Sequence, residues 1–298
     1  MRKIVVFANT ANHKKLSGPA ILDFAHGIDE DVTVVSHDNA PMPEADIAVM
    51  YGFYPAHVPM STGLKAYRKT IRDTYQNLIV MDGGCFRSFG NNIYWRLGYN
   101  SPLWDGDYRI KKPHSKRWKI VRNSIREHTG TDFRLHPWKT DGDYILVCLQ
   151  TNTGWSMAGM NTEAWITIKL KQIREVTDMP VVIRLHPRNK QSHVDYIENN
   201  ITGVTIQRYE DCSALEAMEH ARAVVTYNSS IACDSVMMGV PTFIDEGRCL
   251  AAPCCNHDIR NLLEPDYTDR QPWLNKIAYT MWDNTELSDG TAWNHLRR

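Results

Sequence analysis

The segments Val181-Val-Ile-Arg-Leu-His-Pro-Arg188 and Val224-Val-Thr-Tyr-Asn-Ser-Ser-Ile-Ala-Cys-Asp-Ser235 decide the fold, because each reads as a buried strand that ends in polar residues. In the first, a β-branched run closes on Leu185-His186-Pro187. Proline cannot donate to a sheet ladder, so the strand stops there and leaves the imidazole at its carboxyl end. The second run ends in Asn228-Ser229-Ser230 and turns into a helix. Ser229 and Ser230 then stand at the helix's amino end, where unpaired N–H groups and the macrodipole favour a phosphate. Read as neighbouring strands of one parallel sheet, the two segments form two walls of a single anion site.

Strand and helix signals alternate on either side of them, the rhythm of parallel sheets with covering helices. Around the two segments the spacing predicts a strand over Tyr144 to Leu149, a helix over Thr162 to Thr177, a strand over Met179 to Leu185 and a short one over Val204 to Ile206. A helix over Ala214 to Ala221, a strand over Ala223 to Tyr227 and a helix over Ile231 to Met238 follow, with Gly239 suited to a left-handed cap before the strand Thr242 to Ile244. Toward the amino end come strands at Ile4 to Phe7, Val32 to Ser36 and Ile47 to Tyr51, with a helix from Gly18-Pro19 to His26. A helix from Thr62 to Tyr75 leads into the strand Leu78 to Met81, which ends in Asp82-Gly83-Gly84. Residues 86–108 read as irregular and aromatic, either a loop layer or a folded-over part of the core. The expected organisation is one α/β domain over 1–135, a second over 136–270 and an apolar helical tail over 271–298 that packs back on the body.

Length and composition agree with two domains. A chain of 298 residues exceeds one ordinary compact domain and suffices for two cores. Lys plus Arg (34) equals Asp plus Glu (34), so no bulk field draws in polyanions and any nucleic-acid contact must come from a local patch. Such a patch runs from Arg109 to Arg126, which is basic without an acid and carries Trp118 at its middle. It is either a solvated helix face or, through Lys111, Lys112, Lys116, Arg117, Trp118 and Lys119, a strip that follows a phosphate backbone and stacks a base. No apolar run reaches a membrane span, and the first strand begins without a signal-peptide core, so the expected location is the cytoplasm. Seven scattered cysteines suit reduced thiols.

Each candidate for chemistry has a plainer alternative. His186 is a core histidine or a phosphate donor; Ser229 and Ser230 are a helix cap or phosphate ligands. Arg184 and Arg188 flank the histidine, and Arg188, at the strand's exit, is better placed to fork onto a pyrophosphate. Asp105-Gly-Asp107 and Asp141-Gly-Asp143 spell a metal-binding pair but fall in acidic turns. Cys249, Cys254, Cys255 and His257 make a poor zinc set, because two adjacent cysteines in one short loop do not give tetrahedral ligands. Neither a dinucleotide fingerprint nor a P-loop is present.

The His-Pro element, the later Ser pair and the Met237-Met-Gly-Val-Pro-Thr-Phe243 segment together resemble glycosyltransferases of the GT-B architecture, as in bacterial sialyltransferases and capsule-polysaccharide transferases. That resemblance implies two Rossmann-like domains facing a cleft, with His186, Arg188, Asn228, Ser229 and Ser230 on the donor phosphate. It implies a catalytic pair of His186 and an amino-terminal acid, here Asp82, although the family pattern has two acids before the glycine and Met81-Asp82-Gly83 has one. Asp234 and Glu246 are the candidates for ribose or base contacts. The implied reaction moves a sugar from a nucleotide-sugar donor to a hydroxyl with inversion and without metal or other cofactor. Size and domain pattern are also similar to phage enzymes that glycosylate hydroxymethylated pyrimidines, so the leading acceptor is such DNA, in the host cytoplasm. A cell-surface or capsule glycan is the alternative acceptor. A non-catalytic nucleotide- or nucleic-acid-binding protein is the second alternative.

Overall fold

A computed structural model of the chain describes residues 1–8, 17–36, 41–53, 64–151, 157 and 159–298. Its first elements are β1 (Lys3–Ala8), α1 (Ser17–His26), β2 (Asp31–Ser36), β3 (Ile47–Tyr51), α2 (Leu64–Thr74), β4 (Leu78–Gly83), β5 (Tyr94–Tyr99) and α3 (Ser115–Thr129). The middle comprises β6 (Tyr144–Cys148), α4 (Thr162–Arg174), β7 (Val181–Arg184), α5 (Gln191–Asn200), β8 (Thr205–Gln207), α6 (Ala214–Glu219), β9 (Ala221–Thr226), α7 (Ile231–Met237) and β10 (Thr242–Ile244). Last come α8 (Gln271–Ile277), β11 (Met281–Asp283), α9 (Asn284–Ser288) and α10 (Thr291–Leu296). The expected start of α2 at Thr62 and Gly63 lies outside the described residues.

The chain divides into two compact units. The first holds Met1–Cys85, Asn91–Asn123 and Leu274–Arg298; the second holds Phe86–Gly90 and Ser124–Trp273. The chain therefore passes between units within α3, and the last twenty-five residues, 274 to 298, belong with the first. No helix among the described residues is long and apolar enough to cross a membrane.

In the first unit six strands run in the order β11-β5-β4-β3-β1-β2. β1 to β4 are parallel, and β5 and β11 continue the sheet in antiparallel pairings. Strands buried on both faces read as continuous apolar runs, which is why Ile4 to Ala8 and Leu78 to Met81 carry almost no polar residue. Phe24 of α1 and Leu287, Trp293 and Leu296 from the C-terminal helices close one face over Val6, Val49 and Ile79. Two elements differ from the sequence expectation. Residues 94–99, expected to be irregular, form the wholly buried strand β5, and the supposedly all-helical tail contributes β11. An Arg and a Gly interrupt the apolar run of the first, and three residues are too few for the second to show a period.

The second unit's five strands are all parallel in the order β10-β9-β6-β7-β8. Counted from β6 this is the Rossmann order, with the direction of winding reversing between β6 and β9. Open sheets of this kind collect ligands beyond the carboxyl ends of the strands at that reversal. β7 and β9 are not neighbours, as the sequence reading had them; β6 runs between them. At the end of α7, Gly239 takes the expected left-handed backbone (φ 75°) and approaches Pro137 so closely that a Cβ would stand 1.9 Å from its carbonyl oxygen.

Candidate active site

Four adjacent strands of the second unit deliver polar side chains to one sheet edge. β7 ends in Arg184, and Leu185-His186-Pro187 follows it. The Arg188 N–H donates to His186 Nδ1 at 3.1 Å, so the ring's hydrogen sits on Nε2. Burial first, and the Arg188 charge second, push this half-buried imidazole down to about 4. At neutral pH it is an uncharged ring with one N–H to offer. Arg184 is spent on the fold, its guanidinium bonded to Gln207 Oε1 at 2.8 Å and Cys212 O at 2.8 Å. Arg188 is exposed, and its guanidinium makes no ion pair among the described residues.

β9 is pinned to β6 by Thr226, whose hydroxyl donates to Cys148 O at 2.9 Å. Just beyond, Asn228 N–H donates to Gln150 Oε1 at 2.9 Å, and Gln150 Nε2 donates back to Asn228 Oδ1 at 3.2 Å. The Asn228 amide also reaches Glu246 at 3.5 Å, across the edge toward β10. This corrects the reading of Asn228 as a phosphate ligand: it is buried, and its side chain braces three strand ends. Gln150 is the residue that motif reasoning passed over. No local pattern marks it, but it lies two residues past the end of β6, the strand that both β7 and β9 flank.

The two serines are half-buried at the turn into α7. Ser229 Oγ accepts only a long bond, 3.4 Å, from Ile231 N. Ser230 holds the cap position with helical backbone and makes no capping bond, so its hydroxyl is not consumed by the helix. Glu246 is committed to Arg248, with Oε2 2.7 Å from the guanidinium. Burial opposes its ionisation, but Arg248 prevails and holds the carboxyl below its usual value.

Asp234 corrects a further expectation. It is fully buried on α7 and so presents nothing to a ribose. Ser88 donates to its Oδ2 through the hydroxyl at 2.6 Å and the backbone N–H at 3.3 Å. Oδ1 has no hydrogen-bond partner among the described residues. Burial raises this carboxyl to about 7 against the opposing Ser88 hydrogen bonds.

In the first unit, Asp82 closes β4. Its Oδ1 accepts from Gly83 N at 2.8 Å, and its Oδ2 pairs with Arg96 Nη2 at 3.1 Å, directly across the antiparallel ladder. The carboxylate keeps 22% of its side-chain surface exposed. The basic strip is divided by α3. Lys111, Lys112, Lys116 and Lys119 are exposed. Trp118 is buried, which overturns the expectation that it stacks on a base. Arg117 is likewise withdrawn, paired with Glu286 and lying 4.5 Å over the Trp282 ring. Trp118, Val121 and Ile125 follow one helical face inward, which is the physical reason the strip is only half a surface.

Among the described residues, no three His, Cys, Asp or Glu side chains are placed to hold a metal ion. Cys254 is raised by burial to about 12.

No protein-family model matches this sequence. No curated protein matches it either. Among solved structures, the chain is similar to the KpsC β-Kdo 2,4 transferase of Thermosulfurimonas dismutans at 15% identity, over 93% of this chain and 89% of that one, with a TM-score of 0.53. It is similar to the KpsC β-Kdo 2,7 transferase of the same organism at 12% identity, over 100% and 99% of the two chains, with a TM-score of 0.55. The fold expected from the sequence, two Rossmann-like α/β domains, is the fold these proteins share with it.

Proposed function

We propose that the chain is a glycosyltransferase that takes its sugar from a nucleotide-sugar donor held at the carboxyl edge of the second unit. One observation carries the reading. Near the strand-order reversal, a neutral Nε2–H of His186, the hydroxyl of Ser230 that makes no capping bond, that of Ser229 and the Arg188 guanidinium, which has no ion pair among the described residues, all belong to the same sheet edge. β7 and β9 lie two strand spacings apart, about 10 Å, which suits a pyrophosphate bridging from one to the other.

In the reaction, an acceptor hydroxyl bonds to the anomeric carbon as the bond from that carbon to the donor phosphate breaks. The electron pair leaves on the phosphate. Donors aimed at that growing charge lower the barrier by about 3 to 4 kcal/mol each. Asp82 is assigned the acceptor's proton, and a single displacement of this kind inverts the anomeric centre. None of these steps calls on a metal.

A glycan is the acceptor we favour. The basic strip lent the DNA reading a Trp118 available to stack on a base, and that ring is buried. The likeness to two β-Kdo transferases is compatible with this choice of a capsule or cell-surface glycan.

The test is nucleotide binding to the full chain by calorimetry, over uridine, cytidine, guanosine and adenosine mono- and diphosphates. Mass spectrometry with the matching nucleotide sugars and oligosaccharide or hydroxymethylated DNA acceptors follows. One nucleotide is expected to bind, weakened about tenfold or more by His186→Ala and by the Ser229→Ala/Ser230→Ala pair. Binding that ignores both variants would overturn the donor site.

A further inference from the structure

The first unit carries a cation that has no ion-pair partner among the described residues. Arg68 lies on α2, half-buried. Its Nε is sheltered from solvent and has no hydrogen-bond partner, and its side chain makes no ion pair among the described residues. The guanidinium lies flat on the backbone of Gly52, just past β3: a Cβ there would stand 2.9 Å from Cζ, 3.0 Å from Nη1 and 3.1 Å from Nη2. Near-equal distances to three atoms mean a face-on contact, so the N–H groups radiate sideways from the stack. Gly52, with φ 79° and its N–H bonded to Met81 O at 2.8 Å, is the residue that leaves room for this.

Arg68 therefore covers the carboxyl ends of β3 and β4, where Asp82 also stands. Burial depresses the guanidinium's pKa, and Tyr51 and Asp82 raise it from beyond ion-pair distance. Asp82 does not close on Arg68, because it is held by Arg96 at 3.1 Å, and Arg96 is fixed further by Gly83 O at 2.6 Å. Among the described residues, Asp82 is the one carboxylate whose charge acts on Arg68, and it is already shared with Arg96. A guanidinium partly withdrawn from water with its fork unbonded is costly to maintain and is suited to a carboxylate or phosphate.

We propose that Arg68 is the anchor of a second anion subsite, on the first unit, which grips a carboxylate or phosphate group of the acceptor beside Asp82. The word acceptor rests on the transferase reading; the subsite itself rests on the first unit alone. A group bound at Arg68 would set which hydroxyl of the acceptor meets Asp82, so Arg68 is a specificity-determining residue.

The experiment follows the Arg Nε–Hε resonances of the full chain while glucuronate, inorganic phosphate or glucose is added. Glucuronate or phosphate is expected to shift the Arg68 resonance saturably, and glucose is expected to leave it in place. Whichever anion binds more tightly names the chemistry. Arg68→Gln should weaken that anion about tenfold or more, and Arg68→Lys, which keeps the charge but not the fork, should recover part of the loss. Wild-type resonances alone decide the matter if the variants do not fold. No saturable shift with either anion into the tens of millimolar, or undiminished anion binding in Arg68→Gln, overturns the proposal. Failure of the transferase reading shows separately, as nucleotides that do not bind the second unit while Arg68 still responds to anions.

Discussion

Replacing Asp234 with asparagine is expected to stabilise the second unit, and to do so more strongly as the pH rises. A carboxyl usually titrates near 3.8, and burial lifts this one to about 7. Between those values the folded chain keeps a proton that the unfolded chain has released. Stability is therefore greatest below the unfolded value and is lost as the pH climbs through the folded one. Integrating the two titrations gives a penalty of about 4 kcal/mol at pH 8, about 3 at pH 6 and about 0.6 at pH 4. Asparagine carries no charge at any of these values. It can still accept from Ser88 through its Oδ1, and its amide replaces the oxygen that has no partner. Urea unfolding of wild type and Asp234→Asn across this range, followed by tryptophan fluorescence, measures the gap directly. A gap that does not narrow on acidification, or a variant less stable than wild type at pH 8, refutes the reasoning.

Two further outcomes follow from the packing. Trp118→Ala should destabilise the first unit by about 3 to 5 kcal/mol in thermal or urea unfolding while leaving nucleotide affinity unchanged, because the ring is core. Gln150→Ala should strip Asn228 of both its bonds to that side chain, cost the second unit about 1 to 3 kcal/mol for each buried polar group left unpaired, and weaken nucleotide binding through the displaced Ser229-Ser230 turn.

What was legible in the sequence follows from how many neighbours each residue needed to reveal its role. Parallel strands are buried on both faces, so β1, β4, β7 and β9 declare themselves by composition alone. The strand-end placement of His186, Arg188, Ser229 and Ser230 was legible because a proline or a helix start marks where their strands end. Gln150 and Asn228 meet across 78 positions, and no local pattern encodes that pairing. Arg68 is surrounded in sequence by Lys65, Lys69 and Arg72 and looks like one more charge on a solvated helix; only its seat on Gly52 sets it apart. For Trp118 the information was present. Its spacing to Val121 and Ile125 is helical, and the basic residues interleaved with them mask that period.

On the proposed reading, the state of His186 decides what kind of catalyst it would be. A general acid would have to hold a proton at neutral pH, and burial together with the Arg188 charge, which push this ring down to about 4, oppose that. The departing nucleotide does not require that proton, since a phosphate's second ionisation lies at about 6 and it leaves readily as an anion. A neutral Nε2–H instead interacts weakly with the bound donor and more strongly as charge moves onto the leaving oxygen, which is the difference that accelerates a reaction. His186 is on this argument a hydrogen-bond donor throughout the cycle. The turnover rate should then show no basic limb belonging to this imidazole between pH 6 and 8, and His186→Asn should retain more activity than His186→Ala because its amide can still donate. A fall in turnover above pH 6 to 7 that vanishes in His186→Asn would make the residue an acid and sink the argument.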